Sequence, residues 1–154
     1  MDRDEMCGKI TAGAAARQDS DFVIIARTDA RAVEGFGAAV DRANAYLAAG
    51  ADAIFSEALQ SADEFREFAR RVDAPLLANM TEFGRGPLLC ADELAAMGYR
   101  IVIFPQTAFR VGMKAAEICL ADLRREGSQV AWIDRMQTRK ELYELLGYEP
   151  ERTA

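Results

Sequence analysis

Short, continuous apolar runs alternate along this chain with longer segments in which apolar residues recur every three or four positions. The runs are Phe22 to Arg27, Ala53 to Ser56, Leu76 to Met80 and Ile101 to Phe104. Runs of this length between turn residues predict strands, and the unbroken apolar character of Phe22 to Arg27 predicts a strand covered on both faces. The segments between them predict helices. One runs from Glu5 to Arg17, and a second is built on Val40, Ala43 and Leu47 and stops at Gly50. A third opens on the capping-box pattern Ser61-Ala62-Asp63-Glu64 and carries a stripe of Phe65, Phe68, Ala69 and Val72. A short helix from Asp92 to Met97 and a long one from Thr107 to Glu126 follow, each stopped by a glycine. Val130 to Tyr148 predicts two further helical pieces, with Leu142, Leu145 and Leu146 on an apolar face.

Strand and helix thus alternate four times, and each strand ends in polar residues: Arg27-Thr28-Asp29, Ser56-Glu57, Asn79 with Thr81, and Gln106. Functional groups at the carboxyl end of every strand are the arrangement of a (β/α)8 TIM barrel, whose loops converge on that face. An open doubly wound sheet gathers ligands mainly at one switch point instead. A full barrel takes about 250 residues; this chain has 154. The expected fold is therefore α/β, the C-terminal half of a (β/α)8 TIM barrel with four βα units plus C-terminal helices. Residues 1–154 are read as a single partial-barrel domain, 1–127 as the half-barrel and 128–154 as a helical tail.

Charge and composition narrow the partners. A net charge of -6 argues against nucleic acid and against an anionic membrane surface. No apolar stretch approaches the roughly 20 residues that span a bilayer, and Met1-Asp2-Arg3-Asp4-Glu5 has no signal-peptide core, so a cytoplasmic setting is expected. Cys7, Cys90 and Cys119 are widely spaced and odd in number, which indicates neither a disulfide framework nor a zinc site. With no histidine in the chain, the commonest acid–base group and metal ligand is absent.

Several residues remain as candidates for chemistry. Arg27 sits at a strand end, where its fork suits a carboxylate or phosphate; a structural ion pair with Asp29 or Glu57 is the other reading. Glu57 ends the second strand, as a metal-shell ligand, a base or the partner of Arg27. Asn79 and Thr81 share a face by the period of two and can hydrogen-bond an anion, whereas Glu82 faces away. Arg110 opens the long helix, where a cation opposes the helix dipole. Arg139, taken alone, reads as a surface arginine. Gly84-Arg85-Gly86 is too short a pattern for a phosphate cradle. These residues describe a half-barrel face suited to a small anion without specifying a reaction.

Longer motifs add a family. Ala26-Arg27-Thr28-Asp29-Ala30, Val33-Glu34-Gly35 and Ala49-Gly50-Ala51-Asp52 resemble the isocitrate lyase/phosphoenolpyruvate mutase superfamily. Leu77-Ala78-Asn79-Met80-Thr81-Glu82-Phe83-Gly84, Ala108-Phe109-Arg110 and Asp134-Arg135-Met136-Gln137-Thr138-Arg139 resemble its methylisocitrate lyase branch. The likeness runs from about Asp4 to Tyr148 and covers the C-terminal half of that family's barrel with its terminal helices.

The resemblance implies a carbon–carbon lyase of propionate catabolism that cleaves 2-methylisocitrate to pyruvate and succinate. It implies Mg2+ as Lewis acid, a small carboxylate substrate and a homo-oligomer. It places substrate binding at Arg27, Glu57, Asn79, Met80, Thr81, Arg110 and Arg139, which raises Arg139 from a surface residue to a carboxylate clamp. The family's catalytic cysteine lies in a Lys-Lys-Cys-Gly-His loop, absent from a chain without histidine, and the aspartates around its magnesium belong to the other half of the barrel. The expectation is a fragment with no catalytic residue or metal ligand of its own, inactive alone. An oxaloacetate decarboxylase or a phosphonopyruvate/phosphoenolpyruvate mutase type is the rival within the superfamily. A non-catalytic remnant that binds carboxylates is the rival outside enzymology.

Overall fold

The structure is a computed structural model, and it describes residues 1–149. The chain divides into two compact units, Met1–Ala108 and Phe109–Ala154. The first contains four strands, β1 (Ile25–Thr28), β2 (Ala53–Ser56), β3 (Leu76–Asn79) and β4 (Ile101–Ile103), in one sheet of order β1-β2-β3-β4. All pairings are parallel, with Arg27 opposite Phe55, Phe55 opposite Leu77, and Leu77 opposite Ile101. Helices α1 (Arg3–Ala16), α2 (Ala30–Val33), α3 (Phe36–Ala48), α4 (Ala62–Arg71) and α5 (Ala91–Ala96) precede and connect the strands.

Local signals fix these boundaries. The Ser61 hydroxyl accepts from the Glu64 amide at 3.2 Å and starts α4 as its capping pattern predicts. Gly50, with φ of 111°, ends the turn after α3, and a Cβ there would lie 2.8 Å from the Cβ of Ala14, so α1 packs closely on this corner. Tyr99 is buried among the helices and donates to the Phe65 carbonyl at 3.4 Å; burial pushes its phenol well above the ordinary range.

One face of the sheet is sealed by helices. Ala26, Ile54, Leu76 and Ala78 point to it and form a single core with Val40, Phe65, Phe68 and Leu94. The other face carries Ile25, Arg27, Phe55, Leu77 and Asn79 by strand alternation. The first strand therefore differs from its sequence expectation. It alternates exposed and buried rather than lying covered on both faces, and Ile25 is 41% exposed. It also begins three residues late, because Asp52 and Ala53 donate to the Ile24 carbonyl and open the ladder there. Phe22 and Val23 lie in the exposed approach to it. The short helix α2, which no periodicity announced, follows directly on β1.

In the second unit, α6 (Thr107–Glu126, whose first two residues belong to the first unit) is followed by a 3-10 turn (Val130–Arg135) and α7 (Arg139–Leu146). Trp132 donates to Asp122 at 3.1 Å, Arg135 lies over the Trp132 ring, and a Thr138–Glu141 capping box starts α7. No helix among the described residues is long and apolar enough to cross a membrane.

Candidate active site

The carboxyl ends of β1, β2 and β3 carry a continuous chain of polar contacts. Arg27 leaves the open face of β1 and donates to Asp29 through Nη2 at 2.7 Å and Nε at 3.0 Å. Its guanidinium also lies 3.4 Å from Glu57 at the end of β2. Asn79, at the end of β3, donates to the same Glu57 carboxylate at 3.4 Å and accepts from the Thr81 hydroxyl at 2.6 Å. Strand register produces this order, because the residue following each of the first two strands continues the same layer across the sheet: the Glu57 amide donates to the Thr28 carbonyl. Arg27 thus makes the structural ion pair, with Asp29 and at longer range with Glu57, on the open side of the sheet.

Beneath the guanidinium lies Phe55, its ring centroid 4.8 Å from Cζ. A cation stacked on an aromatic face and forked onto a carboxylate has a fixed plane, which suits recognition of a second, planar anion. The hydrogen bonds from Arg27 hold the Asp29 carboxyl below its ordinary range, and those same bonds raise the arginine further from deprotonation. The pair remains charged through neutrality.

The loops that follow the strands are constrained. Ala58, just after Glu57, has φ of 61°, and Phe83, two residues after Thr81, has φ of 62°. A side chain in that region costs about 1–2 kcal/mol. Gly86 comes so close to the neighbouring loop that a Cβ would sit 2.6 Å from the Leu59 carbonyl oxygen. The two loops enclose a cavity of about 340 Å³ lined by Ser56, Glu57, Asn79, Thr81 and Arg85, among others.

The other expected residues are placed differently. Met80 points the opposite way, 3% exposed in the core, where its sulfur accepts from the Leu89 amide at 3.3 Å. The alternation that brings Asn79 and Thr81 to the open face sends the Met80 side chain to the helices. Glu82 accepts a hydrogen bond from the Thr107 hydroxyl, away from this chain of contacts. Arg110 in α6 and Arg139 at the start of α7 belong to the second unit, where Arg139 lines a cleft with Tyr143 and Tyr148. Phe55 was missing from the expected set, and Asp29 was expected only as an ion-pair partner of Arg27. The parallel register across from Arg27 is the signal for the first, and the i, i+2 spacing for the second.

Comparison with known proteins gives this geometry a family. Residues 1–124 match the phosphoenolpyruvate phosphomutase family. The chain belongs to that family. It is 54% identical over 145 residues to the 2-methylisocitrate lyase of Aeropyrum pernix, covering 94% of this chain and 46% of the relative. The crystal structure of 2,3-dimethylmalate lyase, described as a PEP mutase/isocitrate lyase superfamily member, superposes with a TM-score of 0.86 at 35% identity, over 94% of this chain and 51% of that one. A phosphonopyruvate hydrolase complex with oxalate and Mg++ superposes with a TM-score of 0.82 at 34% identity, over 96% of this chain and 53% of that one. The chain spans about half the length of the curated relatives it matches. Its four parallel strands with their helices correspond to half of a superfamily barrel.

Superfamily membership raises the question of magnesium. Among the described residues no three acidic or sulfur side chains converge as a cation site. The two carboxylates nearest the strand ends, Asp29 and Glu57, both engage Arg27. Residues so committed do not by themselves fit a magnesium ion.

Proposed function

We propose that this chain is the carboxylate-binding half of a carbon–carbon lyase of the methylisocitrate lyase type, which cleaves 2-methylisocitrate to pyruvate and succinate. The observation that carries the proposal is the unbroken series Asp29–Arg27–Glu57–Asn79–Thr81 on successive strand ends. Its support is the 54% identity to a protein named 2-methylisocitrate lyase, against 35% or less for the superposed lyase and hydrolase structures. In this proposal Arg27 holds one substrate carboxylate, Glu57 orients Arg27 and Asn79, and Asn79 with Thr81 supplies hydrogen bonds. Arg110 and Arg139 serve the remaining carboxylates. Residues 1–127 act as the half-barrel and 128–154 as the helical tail of one domain, working as a homo-oligomer in the cytoplasm. Mg2+ and the proton donor come from a complementary N-terminal half-barrel.

The test is reconstitution. Purified chain with 2-methylisocitrate and magnesium is expected to form no pyruvate, and addition of an N-terminal half from a relative is expected to start turnover. Pyruvate formed by the chain alone, and lost in Arg27→Ala, would overturn the division of labour. Turnover of oxaloacetate or phosphonopyruvate in preference to 2-methylisocitrate would move the assignment to another branch of the superfamily.

A further inference from the structure

The sheet ends in β1 on one side and β4 on the other. The ladder determines which peptide groups these edges present. Asp52 and Ala53 donate to the Ile24 carbonyl, the Ile24 amide donates to the Asp52 side chain, and Glu57 donates to the Thr28 carbonyl. The even-numbered residues of β1 therefore face β2. Successive residues of a parallel ladder face opposite sides, which turns the peptide groups of Val23, Ile25 and Arg27 outward. On β4, Met80 donates to the Ile103 carbonyl, so Ile101 and Ile103 face β3 and the peptide groups of Val102 and Phe104 turn outward. Edges of this kind are templates for a further strand.

Barrel geometry sets the register at which the two edges fit each other. The sheet pairs Ala26 with Ile54, Ile54 with Leu76 and Leu77 with Ile101. An eight-stranded parallel barrel steps back by about eight residues per circuit, or about four across each half. That step sets Val102 opposite Ile24 of a second copy and Phe104 opposite its Ala26. The outward groups then match in turn: Val102 N–H with the Val23 carbonyl, Ile25 N–H with the Val102 carbonyl, Phe104 N–H with the Ile25 carbonyl, and Arg27 N–H with the Phe104 carbonyl. A slip of one residue would turn them past one another. The same docking covers Phe22, Val23 and Ile25, which are 64%, 56% and 41% exposed although their sequence predicts a strand covered on both faces. Ile25 comes to lie beside Ile103 of the second copy.

We propose that two copies of this chain close an eight-stranded barrel, β4 of each pairing in parallel with β1 of the other. A second copy is the occupant because each chain carries both complementary edges, so two junctions satisfy them all and the ring closes with twofold symmetry. Two half-barrels of residues 1–127 also supply the roughly 250 residues that a barrel takes. Each Arg27 then stands beside the β4 end of the other copy, and the two polar series share one mouth. A complementary N-terminal half would use the same two edges, so it displaces the second copy rather than adding to it. The inference rests on the half-barrel part of the proposed function and not on its substrate.

Sedimentation velocity of the whole chain over a wide concentration range is expected to show a species of twice the chain mass. Val102→Pro removes an outward N–H and no bond to β3. It should weaken association about thirtyfold, one ladder bond at each of two junctions, with circular dichroism unchanged. Oxidation of the double variant Ile25→Cys/Ile103→Cys should join two copies by a 25–103 disulfide, identified by peptide mass. Within one chain these positions lie on opposite edges, three strand spacings or about 14 Å apart, too far to bridge. Ile25→Cys/Ile101→Cys, out of register by two residues, should not crosslink. The disulfide pattern decides the matter if Val102→Pro does not fold. A monomer across the range, or a dimer that joins 25 to 101 as readily as 25 to 103, overturns the inference. A crosslinked 25–103 dimer that fails to bind oxalate at Arg27 upholds the barrel and defeats the carboxylate-binding reading; a monomer that binds oxalate does the reverse.

Discussion

The two faces of the four-stranded sheet are made from the same strands and do opposite things. On the helix side, Ala26, Ile54, Leu76 and Ala78 are each at most 2% exposed and meet Phe68 and Leu94, which are completely buried. On the open side, Ile25 is 41% exposed and its neighbour in the next outward position is the arginine of the candidate site. Alternation by single residues therefore separates stability from binding: a position and its chain neighbour serve different purposes. The sealed face is specified by volume and apolar area, the open one by charge and direction. Substitutions on the first should unfold the protein, and substitutions on the second should leave it folded and unable to bind.

The largest contrast is between Phe68→Ala and Ile25→Ala. Removing a fully buried phenylalanine leaves a cavity and typically costs about 3–5 kcal/mol. Ile25 already shows much of its surface to water, so its truncation should cost under about 1 kcal/mol. Urea unfolding followed by circular dichroism measures both. Equal losses would mean that the open face is packed in solution, against a second copy or another half-barrel.

A second contrast lies within the arginines. Arg27→Ala should abolish carboxylate binding at nearly unchanged stability, since removal of a charge-assisted contact to a ligand typically costs about 2–5 kcal/mol of binding. Arg70 pairs with Glu67 on the exposed side of α4, and its replacement should leave binding untouched. Calorimetric titration with oxalate distinguishes the two variants. Loss of binding in both would show that general positive charge, and not the Asp29–Arg27–Glu57 geometry, recruits the anion.

The same separation explains what was legible in the sequence. Helix periods and the capping pattern at Ser61 announced α4 because those signals are local, and β2 and β3 were visible because their burial is provided by this chain's own helices. The first strand was read too long. Phe22 to Ile25 has the composition of a strand covered on both sides, and its open face is covered by nothing among the described residues. The placement of Arg27, Glu57, Asn79 and Thr81 at strand ends was legible from position and period, and the same period turns the Met80 side chain inward. The stacking of Arg27 on Phe55 depends on register between strands, which no single segment encodes.

The smallest effect concerns a seam on the helix side of the sheet, where α2 is tied to α4. Arg31 donates to both carboxylate oxygens of Glu64, at 2.7 Å through Nη2 and 2.9 Å through Nε, and to Gln60. Glu64 also accepts from the Gln60 amide at 2.8 Å, so one carboxylate joins the segment after β1 to the segment after β2. The bonds from Arg31 hold its carboxyl below its ordinary value of 4.5. A carboxyl depressed in the folded state adds stability that is fully present above its unfolded pKa and is lost as pH falls through its folded one. The native chain should therefore melt higher than Glu64→Gln at pH 7, and the difference should shrink as pH drops below about 4.5. Asp29, depressed by Arg27 in the same sense, adds a weaker dependence in the same acid range, because most of its side chain is in water. Thermal melts of the native chain, Glu64→Gln and Arg31→Ala from pH 7 down to pH 3 check this, with the two variants expected to converge on the native curve from below. A gap that stays constant across the range would assign the role of Glu64 to neutral hydrogen bonding with Gln60. The seam would then hold the two loops together by shape alone.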